Sequence, residues 1–143
     1  MGWLYLYAGL TKVLDPEWTA AGYLKSAKTF SGLYQWFASD ANIGWVDFIN
    51  QWGLTIIGAA LILGVAIKLA SYAGALLTML YYFPVLTFPY IKPHSYIVDE
   101  HVVYALAFLV LAALGAGRIW GIDGWLEKQG LTQKVPWLGK LLG

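Results

Sequence analysis

The 143-residue chain is 59% hydrophobic and only 12% charged, with a net charge of +1 and no cysteine. An average soluble domain carries about 25% charged residues, so this composition suits lipid rather than water, and the balanced charge offers no electrostatic footprint for nucleic acid. Without cysteine the chain forms no disulfide, holds no thiolate-bound iron–sulfur cluster and attaches no c-type haem. Redox chemistry must then draw on a bound cofactor, a substrate or another subunit.

Residues 2–14 are apolar, but as a helix even residues 1–14 cover only about 21 Å, less than the roughly 30 Å of a hydrocarbon core. They predict a short or tilted first span, without the basic start of a signal peptide. Asp15-Pro16 ends it, since proline biases its predecessor away from helix. Asp15 then suits the cap of a new helix opened by Pro16 and Glu17. Residues 17–37 mix Trp18, Tyr23, Phe30, Tyr34 and Trp36 with Lys25 and Lys28. They are too polar to span and too aromatic for a loose loop, and predict an amphipathic interfacial segment broken near Ser31-Gly32.

After Asp47 the only charge before Lys92 is Lys68. Residues 45–65 and 69–88 therefore read as the second and third spans with a tight turn at the lysine. Pro84 predicts a kink in the third, and Pro89 closes it. Residues 90–99 read as a loop, and the uncharged run 102–117 places a fourth span over 100–120. The tail, 121–143, alternates Trp125, Leu126, Leu131, Trp137 and Leu138 with Lys128, Lys134 and Lys140, as a second surface-lying segment would. The prediction is an all-α fold: one domain over 1–143, an integral membrane four-helix bundle with amphipathic pieces after the first helix and at the C-terminus. Small residues four apart (Ala60 and Gly64, Ala70 and Gly74, Ala113 and Gly117) are candidate packing seams. Four spans put both termini and Lys68 on one side with Arg118, Lys128, Lys134 and Lys140. That side is the more basic, so both termini are expected in the cytoplasm of a multi-pass cell-membrane protein.

Ionisable groups at span ends invite a functional question. Lys12 ends the first span, and Asp99, Glu100 and His101 open the fourth, with His94 in the loop before them. The acids also suit the first turn of a helix, where the dipole favours negative charge, and Lys12 could pair with one of them. Glu100 is expected on a stripe with Tyr104, Leu111 and Gly115, facing the bundle. Two histidines without a third ligand do not make a metal site, and no metal or haem is expected on this chain. A neutral histidine beside an acid could pass protons to or from a quinol. Arg118 is expected to reach the cytoplasmic surface and pair with Asp123.

Ala8-Gly9-Leu10-Thr11-Lys12 with Asp15-Pro16-Glu17-Trp18, and Gly115-Ala116-Gly117-Arg118 with Gly121-Ile122-Asp123, resemble the first and fourth helices of the DoxX/DoxD membrane family. The segment Tyr96-Ile97-Val98-Asp99-Glu100-His101-Val102-Val103-Tyr104 is similar to the DoxD branch, and the resemblance extends over about residues 3 to 130. It implies four membrane helices and the membrane subunit of an archaeal or bacterial thiosulfate:quinone oxidoreductase, working with a DoxA-like second subunit. On that reading quinone is the substrate, Glu100 and His101 carry the proton chemistry, and Lys12, Asp99, His94 and Arg118 are candidate binding residues. The alternative is a non-catalytic accessory subunit of a larger respiratory complex, held by its amphipathic stretches. Both readings expect membrane lipid as a partner.

Overall fold

The computed structural model describes residues 1–130 and 142, and among these the chain is mostly helical. The apolar start becomes α1 (Gly2–Val13), after which residues 14–19 turn back on themselves. No helix begins at Pro16. The Asp15 carboxylate accepts the Glu17 amide at 3.1 Å in a local turn, and the next helix waits for Ala21. Two short helices follow, α2 (Ala21–Lys25) and α3 (Ser31–Phe37), broken at Phe30 in the left-handed region (φ 53°).

The second apolar run gives α4 (Ile43–Leu63), which stops where Gly64 adopts φ 67°, a conformation that glycine enters without steric cost. The third gives α5 (Ile67–Val85). Pro84 lies in its last turn, so it helps to end the helix rather than kink it. The turn sits at 64–66, and Lys68 lies inside α5 rather than at the turn. The segment expected as a loop folds into a small antiparallel hairpin, β1 (Tyr90–Lys92) with β2 (Ser95–Tyr96), after a cis Phe88–Pro89 bond. The fourth run is interrupted: α6 (Glu100–Leu114) ends at Gly115 (φ 58°), and α7 (Gly117–Trp120) and α8 (Ile122–Lys128) follow as separate pieces. Apart from Leu142, the tail beyond residue 130, with Lys134 and Lys140, lies outside the described residues.

Helix α1 lies antiparallel on α4 along a glycine seam. A Cβ on Gly2 would stand 2.8 Å from Ile62, one on Gly58 would collide with the Leu6 backbone, and one on Gly9 with that of Thr55. Backbones approach closely only where side chains vanish. Of the expected row Ala60 and Gly64, Gly64 lies against the Gly121 backbone, whereas the approach to α1 falls on Gly58, two residues before Ala60. The expected Ala70–Gly74 row does meet a neighbour: a Cβ on Gly74 would come within 2.6 Å of the Phe108 ring, joining α5 to α6. Ala113 and Gly117 do not share one helix, because α6 ends between them at Gly115.

The four long elements share one core. Tyr5, Leu54, Ile57, Leu77 and Phe108 meet there, with the Phe108 ring edge-on to Tyr5 at 4.9 Å. A second core of Leu24, Tyr34 and Val46 lies under α2 and α3. This pair of helices, expected to lie on an interface, is bonded onto α4 and α5. Tyr34 donates to the Leu80 carbonyl at 3.0 Å, Thr29 to that of Leu86 at 2.7 Å, and the Ala20 amide to Asp47 at 2.8 Å. Among the described residues one helix, α4, is long and apolar enough to cross a membrane, and α6 is apolar but shorter.

Candidate functional site

Asp99 precedes α6 in an extended conformation (φ −136°), as an N-cap must, and its Oδ1 accepts the His101 amide at 2.9 Å. Its second oxygen lies 2.7 Å from His101 Nδ1. The carboxylate is 1% exposed and the imidazole 23%. One buried acid thus caps the helix and orients the ring. A carboxylate on Nδ1 selects the tautomer with its proton there and leaves Nε2 with a lone pair.

His101 lines two adjoining cavities, of about 160 and 320 Å³. Lys12 and Tyr81 border both. Tyr5, Thr78 and Tyr104 belong to the inner one, and Trp18 and Tyr23 to the outer. Among the described residues Lys12 pairs with no acid: its ammonium donates to the Ala8 carbonyl at 3.3 Å and stands 5.2 Å over the Trp18 ring. A cation on an aromatic face keeps its charge available to a further partner. The inner wall is polar but satisfied, with Tyr5 bonded to Thr78 and to the Gly74 carbonyl, and Tyr81 to Asn50. Tyr23 donates to the Tyr81 carbonyl at 2.5 Å. Burial, helped by Tyr34 and the Asp99 charge, pushes the Tyr23 hydroxyl up to about 12, so it remains a neutral donor at working pH.

The remaining sequence candidates lie elsewhere. Glu100 faces outward and binds Lys92 at 2.6 Å, and that hydrogen bond holds the Lys92 ammonium above the usual lysine range. The packed stripe of α6 is Ala105, Phe108 and Ala112, with His101 in line and Glu100 about 100° away. The expected stripe through Glu100 is thus one residue out of step. His94 is exposed in the turn between β1 and β2 and lines neither cavity. Arg118 lies past the far end of α6, about 20 Å along the axis, and pairs with Glu127 at 2.7 Å instead of Asp123. Asp123 is fully buried and accepts the amides of Ala66 and Ile67 at 2.7 and 3.0 Å, bracing the turn between α4 and α5.

Asp99, Glu100 and His101 each bring a donor atom within 4.8 Å of the others. Every one of these side chains already has a protein partner, so a cation would compete with the bonds that position them. Sequence reasoning found Lys12, Asp99 and His101 but missed Trp18, Tyr23 and Tyr81, whose roles depend on packing between distant helices. No family model, curated protein or solved structure matches this chain.

Proposed function

We propose that this chain is a multi-pass membrane protein of four spans, with both termini in the cytoplasm, and the quinone-facing subunit of a DoxD-like thiosulfate:quinone oxidoreductase. The observation that carries the reading is the buried Asp99 carboxylate holding the half-buried His101 ring beside Lys12 in an aromatic-walled cavity. The outward faces of the long helices support the membrane setting, with Trp3, Ile56, Leu76 and Leu106 all more than half exposed. Such a continuous apolar exterior suits lipid. The short α1 and the broken fourth run fit a bilayer thinned around them.

In the proposed reaction two thiosulfate ions join as tetrathionate and release two electrons. Quinone takes these with two protons and becomes quinol. This chain supplies the proton side. Lys12 donates a hydrogen bond to one quinone oxygen, and His101, oriented by Asp99, passes protons at Nε2. A DoxA-like partner and the thiosulfate site supply the electrons. Membranes containing both subunits should reduce a tailed quinone on adding thiosulfate, and His101→Gln or Lys12→Met should slow this at least about tenfold. Undiminished reduction after deleting this chain overturns the reading.

A further inference from the structure

Beside the Lys12–His101 cavity lies a second, apolar slot of about 220 Å³ between the α2–α3 pair and the α4–α5 pair. Tyr34, Phe37, Trp45, Ile49 and Leu80 form its sides. Its hydroxyls are committed elsewhere: Tyr34 to the Leu80 carbonyl, Tyr23 to the Tyr81 carbonyl and Tyr81 to Asn50. What the walls offer a guest is therefore ring faces and aliphatic surface. Water ordered in a cavity needs two to four polar partners, and this slot has few to give.

The slot and the outer polar cavity share Ala20, Tyr23 and Tyr81, so they meet at a common wall. At the rim Trp45 is 44% exposed and Ile49 51%, so the slot opens onto the apolar exterior. A polar compartment holding a cation and an oriented imidazole thus adjoins an apolar one that opens outward. We infer that the slot holds the isoprenoid or alkyl tail of the same ligand whose polar ring occupies the Lys12–His101 cavity. The ligand class is an amphipathic quinone with a flexible apolar chain. This inference rests on the quinone reading above, and adds where the chain lies and which residues select for it.

The test uses the purified full chain in nanodiscs, titrated with a tail-less benzoquinone and with its decyl-tailed counterpart. Burying the tail should make the decyl compound bind at least about tenfold more tightly. Ile49→Trp, which fills the slot from its rim, should erase that advantage while leaving the tail-less compound within about twofold of its original affinity. His101→Gln should weaken both compounds alike. If both bind the wild type equally, the slot assignment falls and the quinone site stands. If neither binds, the quinone reading falls and takes the slot with it. Should Ile49→Trp fail to fold, a photoreactive diazirine on the tail decides with the wild type. Labelling within residues 34–50 or 77–81, which line the slot, supports the assignment, and labelling confined to residues outside it overturns it.

Discussion

Replacing Asp99 with asparagine separates the two jobs of this carboxylate. Asparagine keeps the shape and an oxygen for the His101 amide, now 2.9 Å away, so the cap survives. Its other arm becomes an amide that donates, 2.7 Å from Nδ1. The imidazole must answer with a lone pair at Nδ1, which moves its proton to Nε2 and removes the acceptor from the cavity. A lost proton-transfer group costs about 10²–10⁴ in rate, whereas a lost orienting partner costs about 10–100-fold. We expect about a 100-fold fall in thiosulfate-driven quinol formation, near where these ranges meet. Exchanging the charge-assisted bond for a neutral one should cost about 1–3 kcal/mol of stability. The assay is quinone absorbance in membranes carrying matched amounts of protein, with thermal unfolding in detergent as the control. Because both groups act as one unit, the double variant Asp99→Asn, His101→Gln should be little worse than His101→Gln alone. Turnover within about twofold of wild type for Asp99→Asn refutes the dyad as the proton carrier.

Glu100→Gln should leave turnover within about twofold, since its partner Lys92 is exposed and an exposed pair contributes little. A large loss would show that the outward face of α6 carries the chemistry. Gly58→Ala should push α1 off α4 and lower stability by about 1–3 kcal/mol. Gly53→Ala, whose nearest neighbour would be Ile49 at 4.0 Å, should be neutral or slightly stabilising, and equal effects in thermal unfolding would refute the seam. Tyr23, with its hydroxyl pushed up to about 12, contributes stability that is fully present below the ordinary tyrosine value near 10 and lost as pH rises through 12. Tyr23→Phe should therefore show a shallower fall in stability than wild type over that window, and identical alkaline profiles would count against the buried hydrogen bond.

Hydrophobic runs and proline marked the first three long helices to within a few residues, because a run of apolar side chains and a helix breaker are local signals, but not the break at Gly115 that ends the fourth six residues early. The phase of α6 was not legible. Its apolar residues surround the whole helix, so no stripe tells His101 from Glu100, and the choice depends on where Gly74 admits the Phe108 ring. The same limit hid which small residues of α4 meet which neighbour: Gly58 and Gly64 look alike in sequence, yet Gly58 lies against Leu6 of α1 and Gly64 against Gly121. Arg118 with Asp123 was the natural short-range pairing, yet Asp123 binds backbone 56 and 57 residues away. Lys12, Asp99 and His101 stood out because charge is rare in this chain. Their aromatic neighbours did not, since aromatic residues are common throughout.

The brace of Asp123 on the turn between α4 and α5 sets an order of assembly. A ribosome delivers the two helices and their turn well before it reaches residue 123, so during that interval the amides of Ala66 and Ile67 must find another partner such as water. The hairpin is thus provisional at birth and is fastened from behind, by an acid that follows the last long helix. Release of a chain before Asp123 leaves the early hairpin without its fastening, although every residue of that hairpin has been made.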